Sequence, residues 1–419
     1  MCNKEHLQSP LLRAIPSGLS QPLCLLGELF GSSNAYCFAL ALMVLSDVLS
    51  RLLFVKSNSF LLRTNDLVGD VGFLLMVLRI IAVVRFERRR CLLFGSLLVT
   101  FGVGYVSTGN SALVKALVLL IASNDIELWR VTRICCVTYC LGVVIGLASW
   151  VASAFLGQQL VGFGGFDHKN QFALALFLII ALWLVERATY RKAFRIGEWS
   201  VVAAIILGTA LIVQSKTATV CMIVFVAMCL ALRRGAFTAI LDSTAGRIFV
   251  KAFQGLCLLF SVGSALLLPL QPVVQVLDRI MTNRIWLNWY ALQNHALSLF
   301  GSNVNLNEGT GKAFNFVLQT GNNAITVDNT YILSLYILGV LPTIALTVLF
   351  AWVMNQFYKN GRYIVICAAL VLCLYGLMEA QMIDVFNNFI FILPLTTVHT
   401  PAHFKGWSMR PAEGDCARE

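Results

Sequence analysis

Apolar residues run through this chain in blocks of roughly 16 to 24, separated by short polar turns, and blocks of that length can cross a hydrocarbon core of about 30 Å as helices. The pattern predicts spans at approximately 33–50, 67–84, 91–107, 111–123, 134–155, 171–186, 199–214, 217–232, 249–269, 329–353, 363–380 and 386–398. The stretch 22–32 is also apolar but is interrupted by Glu28 and Gly31, and reads as an interfacial helix or an extension of the first span. Inside lipid the backbone must satisfy its own polar groups, so helices are expected; a β-barrel would show short alternating segments instead. A large soluble core would need polar faces that these blocks lack. Residues 1–21 are polar and contain proline, and offer no cleavable signal. No fixed-period repeat and no second soluble domain is visible, so 1–419 reads as a single transmembrane domain. The expected fold is all-α: a polytopic integral membrane protein of about 11–12 transmembrane helices with one long extracytoplasmic loop at 270–328, partly helical.

Composition agrees. The 419 residues are 58% hydrophobic and 12% charged, with a mean hydropathy of +0.80, whereas soluble domains are about a quarter charged. A net charge of +11 raises nucleic acid as a partner, but the lysines and arginines are scattered in short loops between apolar blocks, as membrane orientation requires. No nucleic acid is expected. Of the thirteen cysteines most lie inside apolar blocks with no CxxC pair, and they read as small buried residues, not as metal ligands or disulfides.

Orientation follows from the basic loops. RFERRR (85–90), Arg130 with Arg133, RATYRKAFR (187–195), RRG (233–235) with Arg247, Lys359 with Arg362, and the tail with Lys405 and Arg410 share one side if the spans alternate. That side should be cytoplasmic. Residues 51–63 disagree, because Arg51, Lys56 and Arg63 fall on the other side. Also on that other side lies 270–328, the one long hydrophilic insertion; a loop of that length in a compact protein is usually functional or disordered. Trp286, Trp289 and Tyr290 suggest that it folds back on the membrane, partly as an amphipathic helix around 283–300.

Four polar clusters share the extracytoplasmic side: Asp167-His168-Lys169-Asn170, Ser215-Lys216-Thr217, Arg279 with Arg284, and Asp328-Asn329. One reading is an anion pocket, since two unit charges 4 Å apart attract by about 4 kcal/mol at an effective dielectric of 20. The other is ordinary helix ends, with Lys169 and Lys216 snorkelling into water. Asp328, at the start of a span, is either a helix cap shared with Asn329 or a general base in a water-poor pocket. No outward DxD or paired acids call for a metal, and no cofactor is expected.

Taken in order, these clusters resemble the O-antigen ligase and polysaccharide repeat-unit polymerase (Wzy-type) superfamily of bacterial envelope glycosyltransferases. The resemblance rests on FDHKNQFA, the SKTA turn, RIWLNWYALQNHALSLFG in the large loop and DNTYILSLYILGV opening a span, and covers about residues 135–353. It implies transfer of a glycan from an undecaprenyl-diphosphate carrier at the outer face of the bacterial cytoplasmic membrane. By that likeness Lys216 and Arg284, helped by Arg279, hold the diphosphate. His168, Lys169, Asn170, Asn329 and Tyr331 are further contacts to phosphate or sugar. Asp328 stands where ligases place a catalytic histidine, with His295 as a substitute base, and DNxY looks more like a capsule, exopolysaccharide or O-antigen polymerase. The implied reaction is a metal-independent inverting transfer onto a carrier-linked repeat unit. The implied partners are undecaprenyl-diphosphate-linked oligosaccharide, membrane lipid and other assembly proteins such as a flippase or a chain-length regulator. The alternatives are a ligase that joins finished glycan to lipid or protein, and a lipid-linked glycan flippase or other transporter. Transporters tend to show inverted repeats, and no half-to-half symmetry is evident, with Arg79 and Lys115 the main basic residues within spans.

Overall fold

The computed structural model describes residues 32–83, 88–157, 162–189, 196–294, 296–302, 317–320 and 323–397. Its helices are α1 Ser33–Leu49, α2 Ser59–Val83, α3 Arg88–Thr108, α4 Ala112–Ala122, α5 Leu128–Phe155, α6 Lys169–Thr189 and α7 Ile196–Gly208. A π-helical turn, Thr209–Val213, follows α7, and then come α8 Lys216–Arg233, α9 Ala236–Asp242 and α10 Thr244–Leu267. The remaining helices longer than a single turn are α11 Pro272–Ile280, α12 Arg284–Asn294, α13 Thr330–Ile337, α14 Val340–Lys359 and α15 Tyr363–Met378. Six of these are long and apolar enough to cross a membrane: α3 from Arg90, α5, α6, α8, α10 and α14. Shorter apolar helices, among them α1, α4 and α15, fill out the bundle.

α6 is the axis of the core. It is apolar all round, which suits a helix surrounded by protein, and Phe172 to Ala175, Phe177, Leu178 and Ile180 to Leu182 are buried. Phe177 stacks on Tyr375 of α15 with ring centroids 5.8 Å apart and meets Phe225 of α8 edge-on at 6.3 Å. The exterior carries large exposed apolar side chains, including Val99, Val106, Leu211, Leu259 and Ile344. An apolar surface that broad suits lipid better than water.

Two predicted spans are redrawn. The block 329–353 is broken into α13 and α14 at Gly339, whose φ is +96°. Loop residues 298–302 cross this break: Val340 N donates to Ser298 O at 3.0 Å, and Ser302 N donates to Tyr336 O at 3.0 Å. A β-carbon on Gly339 would lie 2.1 Å from Gly301 N, and one on Gly301 (φ +86°) would lie 2.3 Å from Ile337 O. The crossing therefore needs both glycines. Gly339→Ala is expected to cost more than about 2 kcal/mol, seen as a fall in monodisperse protein on size-exclusion of detergent extracts; an unchanged yield would contradict this packing.

The described part of the block 386–398, up to residue 397, is not a spanning helix. It belongs to a largely buried irregular segment with 3-10 turns at Ala380–Ile383 and Phe389–Ile392. Side chains satisfy its carbonyls, which is the condition for irregular backbone at such depth. Tyr139 Oη donates to Phe386 O at 2.8 Å, and Arg362 Nη1 donates to Leu393 O and Thr396 Oγ1, each at 2.9 Å. Arg362, read above as an orientation charge, is instead buried and spent here.

The conflict at 51–63 resolves in a similar way. Arg51 is ion-paired with Asp47 and Asp384, and Lys56 Nζ lies 2.6 Å from Asp167 Oδ2. Two of the three offending cations are thus neutralised internally, leaving Arg63 exposed. Backbone bonds from Leu53 N to Gly165 O (2.9 Å) and from Asp167 N to Arg51 O (3.1 Å) tie this turn to the start of α6.

Within 270–328 the expected amphipathic helix at 283–300 ends at Asn294, and α11 precedes it. A short antiparallel hairpin, β1 Val317–Thr320 and β2 Asn323–Thr326, pairs Val317 with Thr326.

Candidate functional site

The turn between α11 and α12 is built around Asp278. Its carbonyl accepts from Asn283 N at 2.8 Å, and its Oδ1 accepts from Trp286 N at 3.0 Å, so it serves as a cap for α12. Thr282 (φ +58°) and Asn283 (φ +62°) take left-handed conformations to close the turn. The turn leaves Arg284 as the first residue of α12. A cation at a helix N-terminus opposes the macrodipole, and two carboxylates offset that cost. Arg284 Nη2 lies 3.3 Å from Glu379 Oε1 and 3.6 Å from Asp328 Oδ2. Its Nη1 is buried without a hydrogen-bond partner among the described residues.

Asp328 is available because Asn329 does the capping. Asn329 Oδ1 accepts from Tyr331 N (2.9 Å) and Ile332 N (3.0 Å), while its Nδ2 donates to Ser261 Oγ and Leu377 O, each at 3.0 Å. Tyr331 is buried, and its hydroxyl donates to Cys373 O at 2.9 Å. Both residues are thus bound into the fold, while the Asp328 side chain keeps 36% exposure.

Glu379 stands just past the end of α15 and is 4% exposed. Asn170 Nδ2 donates to its Oε1 at 2.9 Å, the same oxygen that faces Arg284. Burial pushes its carboxyl from 4.5 up to about 7, with Arg284 pulling the other way. Burial also raises Asp328, opposed by Arg284 and then by His168.

The DHKN stretch divides its work. Asp167 pairs with Lys56, and His168 Nδ1 accepts from Asn170 N at 3.2 Å, capping α6 from an exposed position. Lys169 is exposed, and Asn170 reaches Glu379. Lys216 opens α8, which packs against α15, with Cys221 near enough to feel the Glu379 charge. It therefore shares the Glu379 end of the bundle. Its side chain is exposed and makes no ion pair among the described residues. The preceding Ser215 is 2% exposed with its Oγ unpartnered. Arg279 is exposed beside a separate hollow of about 360 Å³ lined by Trp286 and Trp289. His295 lies outside the described residues.

The structure therefore joins Arg284, Asp328, Asn170 and Glu379, with His168 nearby, and leaves Lys216 and Arg279 apart from them. The expected cluster of cations is one arginine facing two acids, a constellation that carries one net negative charge unless an acid holds a proton. Glu379 is hard to see in the sequence because it closes the otherwise apolar block 363–380. The usable signal was the acid itself, since an ionisable residue in an apolar span is a functional candidate by default. The chain matches no family model, no curated protein and no solved structure.

Proposed function

We propose that this protein polymerises polysaccharide repeat units at the outer face of a bacterial cytoplasmic membrane, moving a growing glycan from undecaprenyl diphosphate onto a carrier-linked repeat unit. The observation that carries the reading is the half-buried Arg284, flanked by Asp328 and Glu379, with a guanidinium nitrogen left over. The unengaged Nη1 meets the leaving diphosphate, and a planar fork suits that ligand. Asp328, the more exposed acid, accepts the proton of the incoming hydroxyl. The hydroxyl oxygen bonds to the anomeric carbon as the bond from that carbon to the phosphate oxygen breaks, and the electron pair leaves with the diphosphate. Arg284 stabilises that charge where little water screens it. Two ionised acids and a diphosphate are more than one arginine can balance, so Glu379 keeps its proton. Asn170 and Arg284 both address its Oε1, which leaves Oε2 to carry it. Lys216, Lys169 and Arg279 attract the anionic carrier from exposed positions.

A second reading has its own support. The break between α13 and α14, the buried irregular segment 380–397 and an acid raised to about 7 are features that ion-coupled transporters use. Deleting the gene separates the two. Loss of the polysaccharide ladder on a gel, with a single-repeat band retained at the cell surface, is expected of a polymerase. Loss of all surface material would overturn that in favour of transport.

A further inference from the structure

Beside the Arg284 centre lies a second polar space of about 450 Å³, between α1, α2, α4, the start of α6 and the segment 380–387. That volume is in the range of ligand sites. Its walls carry three cations, Arg51, Lys56 and Lys115, and three carboxylates, Asp47, Asp66 and Asp384. Arg51 is already held by Asp47 and Asp384, and Lys56 by Asp167. The formal charges of the lining balance, so it carries no net charge to select a diphosphate or a free cation. Between the charges stand carboxamides and hydroxyls, a lining that both donates and accepts hydrogen bonds.

Two of those carboxamides are unfinished. Gln171 is 4% exposed, lines the space, and has an Oε1 with no hydrogen-bond partner among the described residues. Gln381 lines it as well, and its Oε1 is likewise unpartnered. A buried acceptor left unpaired is costly, so a donor from outside the fold is the economical explanation. The position matters too. Gln171 is next in sequence to Asn170, which bonds Glu379, and Gln381 is two residues past Glu379. The first turn of α6 thus addresses the candidate reaction centre with one side chain and this space with its neighbour.

We infer that this space is a saccharide subsite, in which Gln171 and Gln381 accept hydrogen bonds from the hydroxyls of an uncharged sugar in the glycan whose reacting end lies at Asp328. The inference rests on the glycan-transfer reading for the identity of the ligand. A saccharide supplies hydroxyls that donate and accept at once, as the mixed lining demands.

The test uses the full chain in detergent and a fluorescently labelled one-repeat oligosaccharide, freed of its carrier, from the producing strain. Wild-type protein is expected to bind it saturably, and sodium pyrophosphate is expected not to displace it. Gln171→Leu should weaken binding by about 10-fold or more, the loss of a buried hydrogen-bond partner, with a thermal midpoint unchanged or higher because an orphan acceptor has gone. No saturable binding, displacement by pyrophosphate, or equal binding by Gln171→Leu would each overturn the subsite, leaving a space that holds only water. Failure of the transfer reading shows elsewhere, in a deletion strain whose ladder is unchanged, and leaves the binding measurement to be judged by itself.

Discussion

Arg284→Ala is expected to abolish polymer longer than one repeat while carrier-linked single repeats accumulate. Removing a preorganised donor to a charge that develops in the transition state costs about 10²- to 10³-fold in rate, enough to empty the ladder. The fold should survive, because Arg284 is only the first residue of α12 and Glu379, which burial already raises, can take up a proton once the arginine is gone. Arg284→Lys should also be poor, since an ammonium keeps the charge and loses the fork that can face a phosphate and Glu379 together. Asp328→Asn should match the alanine variant in phenotype, through loss of the proton acceptor. Ladders of normal length from membranes holding normal amounts of either variant would refute the assignment of the centre.

The second large effect concerns Glu379 and pH. Its carboxyl is raised in the folded protein to about 7 from an ordinary 4.5, chiefly by burial. A raised acid favours the protonated form in the folded state. Its stability is therefore fully present below about 4.5, declines as pH rises and is lost through about 7. Polymerisation should follow the same direction, falling above about 7 as a second negative charge appears beside Arg284 and the diphosphate binds less well. The groups facing Glu379 are Arg284, Asp328 and Asn170, with His168 acting on Asp328, so the apparent value belongs to the cluster. Glu379→Gln mimics the protonated acid, and is expected to keep turnover within a few-fold of wild type and to flatten the alkaline limb of both rate and thermal midpoint. Glu379→Ala, which leaves Asn170 and Arg284 without their shared acceptor, should lose most of both. An inactive Glu379→Gln, or a wild-type rate that goes on rising above about 7, would make Glu379 the base and contradict its role as the protonated acid.

Much of the helical framework was legible because apolar block length is a local property. An α-helix underlies each predicted span up to 249–269 and again 363–380, while 329–353 divides into two, and Asn170, Arg284 and Asp328, three of the residues singled out, do meet. What failed depends on contacts distant in sequence. Gly339 reads as one more residue of an apolar block, and nothing near it announces that Gly301 will cross against it. The block 386–398 has the composition of a span, but its carbonyls are taken by Arg362 and Tyr139. Arg51 and Lys56 broke the orientation rule because their partners, Asp384 and Asp167, lie on other elements. Glu379 disappeared into the average hydropathy of its neighbours. Hydropathy reports how much of a segment is apolar, and a single acid inside it reports chemistry.

The most direct measurement is reconstitution. Purified protein in vesicles would be given synthetic undecaprenyl-diphosphate-linked repeat units, and products resolved by length with released carrier diphosphate counted in parallel. One diphosphate freed for each linkage formed, with both signals lost together in Arg284→Ala, is the predicted result. Wild-type protein that leaves the substrate unextended, or an Arg284→Ala variant that extends it at the wild-type rate, would contradict the claim that this arginine carries the departing charge.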